Sequence, residues 1–282
     1  AVSALLFFLL FFLSIAAMPA QQSTYPVEIT DSLGNTVRLE EKPERVVLAG
    51  KATLLTANAY YLFEEARDAV VAIGKTNQGL GNFLPYISEE YERAQKLPHQ
   101  VGPEQILAQK PDLVILKDFM YSKLGKRLSS LGVPVLALSL ESPAEFRRDI
   151  RILGTLLDEP RRAEEIVSYY DKRLREVQDT TGGLRGGERP ETLLLYYSAR
   201  GGETSFNIAP KSWIQTFQVE AAGGGPVWTD THAGRGWMTV NFEQIAAWNP
   251  EHIFITSFHT APEDYMDDIL DNPQWRALDA TK

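Results

Sequence analysis

Short apolar runs alternate with amphipathic stretches along the first half of this chain. Runs rich in β-branched and aliphatic residues predict buried strands at residues 45–49, 69–73, 113–116 and 133–138. Stretches with apolar residues on one helical face predict helices over residues 54–66, 104–109 and 122–131. Strands and helices that take turns in this way form a parallel sheet with crossover helices, which predicts a first α/β lobe over residues 25–141.

A helical segment, residues 142–181, interrupts this alternation. Ser142 followed by Pro143 and by Glu145 three positions after the serine is typical of a helix start. Pro160 begins a second helix over about 160–179, whose apolar residues recur on one face. At 1.5 Å per residue this helix is a rod about 30 Å long.

The alternation of strands and helices then resumes and predicts a second lobe over residues 188–282. Apolar runs predict strands at residues 192–197 and 252–256, and amphipathic stretches predict helices over residues 211–222 and 242–248. The predicted fold class is α/β, with two Rossmann-like lobes that contain central parallel sheets and are joined by a single long helix.

An internal repeat relates the two lobes. Residues 101–119 and 240–258 align without a gap at a constant offset of 139, and seven of nineteen positions are identical. The repeat pairs Glu104 with Glu243, each in the first turn of its helix, where the helix dipole favours negative charge. Dipole stabilisation alone explains such glutamates. Two equivalent carboxylates that meet matching cations on a two-fold symmetric partner are the functional alternative.

The N-terminal residues 1–20 form an uncharged apolar run that ends in small residues and is followed by polar sequence. This pattern is typical of a signal peptide, which predicts a periplasmic or other extracytoplasmic protein. About 17 apolar residues also reach the lower limit for a transmembrane span, so a retained anchor is the alternative.

The composition excludes several function classes. A formal net charge of -9 argues against a protein that binds nucleic acid through a general basic surface. The absence of cysteine excludes disulfides, thiolate metal sites and cysteine nucleophiles.

Enzyme motifs are weak in this chain. Residues 50–53, Gly-Lys-Ala-Thr, follow a predicted strand like a phosphate-binding loop, but Arg45 stands where that motif requires a glycine. No G-x-S-x-G nucleophile motif occurs. We therefore expect a protein that is not an enzyme, and a secreted α/β enzyme is the alternative from another class.

Several segments together resemble a known family. Residues 30–37 with 42–47, residues 103–115, and residues 153–157 with the helix after Pro160 are similar to the periplasmic substrate-binding proteins of ABC importers for siderophores, haem and cobalamin, the class III proteins with a helical backbone. The likeness covers nearly all of residues 25–282.

The resemblance implies two α/β lobes, one rigid interlobe helix and a ligand in the cleft between the lobes. It also implies that Glu104 and Glu243 dock onto arginines of a membrane permease dimer. We expect a monomer that carries no cofactor of its own. Because the family continues past the segment that matches residues 272–278, we expect the second lobe to be truncated at Lys282.

Ligands of open α/β sheets bind beyond the carboxyl ends of the strands, and this rule locates the cleft loops. Cations and aromatic residues in those loops suit an anionic, partly aromatic metal chelate such as an iron-siderophore, haem or corrinoid. The candidate ligand-binding residues are Lys51, Tyr86, Tyr121, Arg200, Trp228, Arg235, Trp237 and His259. For each of them a solvated cation or a rim aromatic is the structural alternative.

A bare metal ion or an oxyanion on the same fold is the alternative ligand. Of the four histidines only His232 and His259 fall in cleft loops, which is fewer than a typical zinc or manganese site requires. We therefore predict no metal site. An oxyanion such as molybdate needs only backbone N–H groups and a few polar side chains, so an oxyanion remains an alternative ligand.

Overall fold

The computed structural model describes residues 25–75, 82–200, 203–234 and 236–282. The predicted signal peptide lies outside these described residues, as does Arg235. Within the described part of the chain, no helix combines the length and apolar character needed to cross a membrane.

The first lobe contains a small hairpin and a parallel sheet. Strands β1 (Val27–Thr30) and β2 (Thr36–Leu39) pair antiparallel. The five strands of the sheet run parallel in the order β5-β4-β3-β6-β7. They are β3 (Val46–Ala49), β4 (Val70–Gly74), β5 (Gln95–Leu97), β6 (Leu113–Lys117) and β7 (Val135–Leu138). Every residue of β3, β6 and β7 is buried, because helices cover both faces of the sheet.

Short helices cover this sheet. They are α1 (Thr53–Tyr60), α2 (Leu84–Ile87), α3 (Glu89–Arg93), α4 (Pro103–Leu107) and α5 (Lys126–Ser130). A 3₁₀ helix (Asp118–Met120) and a π-helical turn (Tyr121–Gly125) lead from β6 into α5. The helix predicted over residues 54–66 ends at Tyr60, and a 3₁₀ helix (Glu64–Ala69) follows.

Two long helices follow the first sheet, and the second of them connects the lobes. The first, α6 (Pro143–Leu156), is capped by Ser142, whose Oγ accepts a hydrogen bond from the Glu145 N–H at 3.3 Å. The second, α7 (Pro160–Thr181), buries Ala163, Ile166 and Val167 in the core of the first lobe. At its other end, the Thr181 hydroxyl donates to the Ala221 carbonyl of the second lobe at 2.7 Å. The predicted interlobe helix is therefore confirmed.

Gly154 sets the close approach of α6 to α7. A Cβ at this position would overlap the Ala163 methyl group and lie 3.1 Å from the Glu159 carbonyl oxygen. We expect Gly154→Ala to lower the free energy of unfolding by about 1–2 kcal/mol, because the overlap outweighs the usual gain of alanine over glycine in a helix. Urea denaturation measures this change. Gly183→Ala is the control, since no atom lies within 4 Å of its Cβ, and a loss of equal size there would contradict the explanation.

The second lobe is built on another five-stranded sheet. Its strands are β8 (Glu191–Arg200), β9 (Glu203–Ile208), β10 (Gly225–Pro226), β11 (Met238–Val240) and β12 (His252–Thr256). Their order is β10-β8-β9-β11, and β12 also pairs with β8. The helices are α8 (Ile214–Ala221), α9 (Phe242–Trp248), α10 (Met266–Asp271) and α11 (Pro273–Arg276).

This second sheet is mixed, so the prediction of a central parallel sheet in both lobes is wrong for the second. Strands β10, β11 and β12 run in the same direction as β8, whereas β9 is antiparallel to both of its neighbours, β8 and β11. The reason is the connection between β8 and β9. Only two residues separate the paired ends Arg200 and Glu203, and so short a connection joins antiparallel strands alone.

The internal repeat corresponds to a repeated structural unit. In the first lobe α4 begins at Pro103 and β6 spans Leu113–Lys117. In the second lobe α9 begins at Phe242 and β12 spans His252–Thr256, which are the positions equivalent in the repeat. In both lobes the unit is a short helix followed by a strand that runs parallel to its neighbour.

Candidate functional site

Exposed apolar side chains occur in the segments that follow three neighbouring strands of the first lobe, beyond the carboxyl ends of those strands. Tyr86, in helix α2, is 88% exposed. The large exposed apolar residues that follow β3, β4 and β6 are Leu55, Phe83, Tyr86, Ile87 and Phe119. This is the edge at which open α/β sheets bind ligands.

The candidate residues of the first lobe share this edge. Lys51 is exposed directly after β3, Tyr86 lies in α2 after β4, and Tyr121 is half-buried after β6. The topology brings their backbones together because β4, β3 and β6 are neighbours in the sheet. Their common feature is therefore a shared edge of the sheet.

Four aromatic rings form a cluster at the corresponding edge of the second lobe. The Tyr196 ring lies 5.0 Å from the Trp237 ring and 5.0 Å from the Phe258 ring, and Trp237 lies 5.6 Å from Trp213. We call Tyr196, Trp213, Trp237 and Phe258 the aromatic cluster. Tyr196 pairs with Thr256, the last residue of β12, so the cluster lies beyond the carboxyl end of that strand. Trp213, Trp237 and Phe258 are half-buried, which leaves part of each ring exposed.

His232 holds the loop that presents Trp237. Its Nε2 lies 2.6 Å from the Gly236 carbonyl oxygen, and the Gly234 N–H donates to its Nδ1 at 3.3 Å. A neutral imidazole protonated on Nε2 satisfies both bonds. Gly236 adopts a φ of 86°, a left-handed conformation that favours glycine directly before the tryptophan.

The geometry of the histidines bears on the bare-metal alternative. Both ring nitrogens of His232 are engaged within its own loop, and His259 is exposed. Among the described residues, no group of three or more histidine, aspartate or glutamate side chains is placed to hold a metal ion. This part of the chain therefore offers zinc or manganese no complete ligand set.

Trp228 belongs to the core of the second lobe and not to the binding surface. Its side chain is fully buried, and its Nε1–H donates to the Ala209 carbonyl at 2.9 Å. The preceding strand β10 pairs with the start of β8 and draws the chain against the sheet. A fully buried indole has no surface left for a ligand, so the prediction that Trp228 contacts the ligand is wrong.

Arg200 and Arg235 are the two arginines that are predicted to bind the ligand. Arg200 ends β8, which places its backbone beside Glu203 in the hairpin, but its side chain lies outside the described residues, as does the whole of Arg235. Their contacts with a ligand stay predictions.

Sequence patterns missed three members of the aromatic cluster. Tyr196 and Tyr197 are neighbours in β8, and strand geometry turns them to opposite faces of the sheet. Tyr197 enters the core and stacks on Tyr265 at 4.2 Å, whereas Tyr196 joins the cluster. Trp213 and Phe258 come from distant loops. The Gly-Gly dipeptide before Glu203 is a hairpin signal that predicts β9 and the loop with Trp213 after it.

Glu104 and Glu243 occupy equivalent exposed positions. Each is the second residue of its helix, α4 or α9, and both side chains are exposed. A crossover helix runs back along the sheet, so its N-terminus lies at the carboxyl edge of the strands, which is the edge of the cleft loops. The helix caps are made by Gln105 and Asn241, whose side chains bond to the Gly102 and Gln244 N–H groups at 3.0 and 2.9 Å.

An arginine lies near the carboxylate of Glu104. Arg127 Nη2 lies 3.8 Å from Glu104 Oε1, and with both side chains about two-thirds or more exposed such a pair contributes little to stability. The carboxylate of Glu104 is therefore available to another cation.

Two surface pockets lie away from the carboxyl edges. One of about 530 Å³ lies between the end of α7, α8 and β10, and one of about 590 Å³ lies between β1 and α6. Neither is lined by any of the predicted ligand-binding residues.

Comparison with known proteins identifies related sequences. The family described as Periplasmic binding protein matches this chain over residues 52–282. The molybdate-binding protein MolA of Haemophilus influenzae is 22% identical over 90% of this chain and 74% of its own length. A cobalamin-binding protein of Halobacterium salinarum is 26% identical over 81% of this chain, which spans 58% of the length of that relative.

Solved structures show the same fold. MolA bound to molybdate superposes with a TM-score of 0.74 at 19% identity, over 90% of this chain and 80% of that one. The triscatecholate siderophore binding protein FeuA of Bacillus subtilis, complexed with ferri-bacillibactin, gives a TM-score of 0.68 at 18% identity, over 90% of this chain and 86% of that one. The two-lobed α/β architecture predicted from the sequence is thus confirmed.

Proposed function

Because the chain belongs to the periplasmic binding protein family, we propose that it is the extracytoplasmic receptor of an ABC importer. Its ligand is an iron-siderophore, haem or corrinoid complex, bound between the lobes and delivered to a membrane permease. The observation that carries this proposal is the aromatic cluster at the carboxyl edge of the second lobe. The related proteins named above are binding proteins, which supports a receptor over an enzyme.

The size of the aromatic surface favours a large conjugated ligand. Trp213, Trp237 and Phe258 each leave part of a ring exposed beside the buried ring of Tyr196. Flat apolar rings of this kind match the faces of a porphyrin, a corrin or catechol groups. On the first lobe, the exposed rings of Phe83, Tyr86 and Phe119 lie at the edge where the opposite face of such a ligand would be covered. A bare oxyanion is bound by N–H donors, and contact with these rings would not stabilise it.

A ligand panel tests the proposal. Purified protein is titrated by calorimetry with haemin, cyanocobalamin, a ferric tris-catecholate, a ferric hydroxamate and molybdate. We expect one of the four chelates to bind with a Kd of about 1 μM or tighter, which is about -8 kcal/mol, and molybdate not to bind. Binding of molybdate alone would instead favour the oxyanion alternative that the similarity to MolA raises.

A further inference from the structure

A buried lysine connects two turns at the cleft edge of the first lobe. Lys117 is the last residue of β6, and its side chain is fully buried. Its Nζ lies 2.8 Å from Glu141 Oε1 and donates to the Ser139 carbonyl, while Asp118 Oδ1 lies at 3.8 Å. Lys117 therefore joins the turn that follows β6 to the turn that follows β7.

The turn after β7 is held from its other side by two carboxylates. Asp149, which is buried in α6, accepts hydrogen bonds from the Ser139 and Leu140 N–H groups at 2.7 and 3.0 Å. Glu145 accepts from the Ser139 hydroxyl at 2.9 Å and from the Glu141 N–H at 3.1 Å. Burial raises the pKa of Asp149, although Arg148 and the two amides oppose that change. Leu140 is held at a φ of 59°, a strained value for this residue.

The turn after β6 also packs against the loop after β3. Gly50 has a φ of 91°, and a Cβ there would lie 3.2 Å from Met120 Cγ. The same turn contains Phe119, whose ring is half exposed, and then the π-helical turn that begins at Tyr121. Single π-helical turns occur frequently at functional sites.

Charge alone does not explain a lysine at this position. A buried ion pair is replaced by well-packed apolar residues with little or no loss of stability, because desolvation offsets the Coulomb attraction. An ion pair, unlike an apolar contact, holds its partners in one geometry through directed hydrogen bonds. The ammonium group of Lys117 is thus paired inside the lobe and does not contact a ligand.

From this network we infer that Lys117 is a positioning residue for ligand recognition. This inference rests on the proposed receptor function. Lys117 fixes the turn that carries Phe119 and Tyr121 relative to the turn at Ser139 and the loop at Gly50. It holds these aromatic residues at the cleft edge without touching the ligand.

The test uses Lys117→Met and the double variant Lys117→Met/Glu141→Leu, with Lys126→Met as the control for an exposed lysine of the same lobe. Hydrogen exchange is followed by mass spectrometry at residues 118–125 and 139–141, with the β8–β9 hairpin as internal reference. We expect exchange at both turns to become about tenfold faster in the double variant, while its thermal midpoint stays near that of the parent protein. Exchange should not change in Lys126→Met.

Haemin, cyanocobalamin, the ferric tris-catecholate and the ferric hydroxamate are then titrated against the same variants. We expect the chelate bound by the parent protein to bind about tenfold more weakly to the folded double variant, because a loosely supported site loses affinity. Unchanged exchange at residues 118–125 would overturn the inference, and faster exchange with unchanged affinity would overturn its link to ligand binding. If the parent protein bound no chelate, the proposed function would fail, while the exchange result would still decide the structural role of Lys117.

Discussion

Replacement of Trp237 by alanine is expected to weaken binding of the chelate about 100-fold, or about 2.7 kcal/mol. Trp237 contacts both Tyr196 and Trp213, so it is the ring that joins Trp213 to the rest of the aromatic cluster. Its removal deletes contact area and also divides the surface that a flat ligand would cover. Calorimetric titration of the chelate measures the change in Kd.

Trp248→Ala is the matched control for this experiment. Trp248 is the last residue of α9, so it lies at the end of the second lobe opposite to the cleft edge, and it is half-buried. Both variants lose the same side chain, and thermal midpoints separate an effect on folding from an effect on binding. If Trp237→Ala bound the chelate as tightly as the parent protein, the aromatic cluster would not be the binding surface.

Reversal of both exposed glutamates, Glu104→Arg with Glu243→Arg, is expected to abolish uptake while the Kd for the chelate changes less than about twofold. Two arginines placed against arginines of a permease would replace attraction by repulsion, which costs several kcal/mol and lowers uptake by at least about 100-fold. Ligand affinity is retained because neither glutamate belongs to the aromatic cluster. Uptake by cells that depend on this receptor, measured beside calorimetry on the purified variant, gives both quantities.

A second charge-reversed protein controls for net charge. Glu28→Arg with Glu220→Arg changes the formal charge by the same amount, and both glutamates are exposed, one in the N-terminal hairpin and one in α8. We expect this protein to support normal uptake. Loss of uptake in both double variants would point to a general charge effect, and parallel loss of affinity and uptake in Glu104→Arg with Glu243→Arg would contradict the docking role.

Local patterns predicted the helix and the strand of the internal repeat closely. The strand predicted at residues 252–256 is β12 (His252–Thr256), and the helix predicted at residues 242–248 is α9 (Phe242–Trp248). Both lie in the internal repeat, where an apolar strand follows a proline stop and a short amphipathic helix. Such segments are determined by periodicity and by backbone restrictions that neighbouring residues impose.

Long-range pairing was harder to predict. Residues 203–208 are polar at their start, so the hydrophobic pattern predicts no strand there, yet β9 pairs with both β8 and β11. The rule that ligands bind beyond the carboxyl ends of strands predicts Trp228 in a cleft loop, but packing in the core of the second lobe buries it completely. The pairing of β9 with β11 and the burial of Trp228 depend on elements that are distant in sequence.

The sequence by itself determined the two lobes, the helix that joins them, and the equivalent placement of Glu104 and Glu243. These features follow from local periodicity and from a repeat that is visible in the residues. Only the tertiary structure decided that Trp228 is buried, that Lys117 is paired within its own lobe, and that Tyr196, Trp213, Trp237 and Phe258 meet. The physical reason is that residues distant in sequence are brought into contact by the order of the strands in the sheet, and a local pattern does not encode that order.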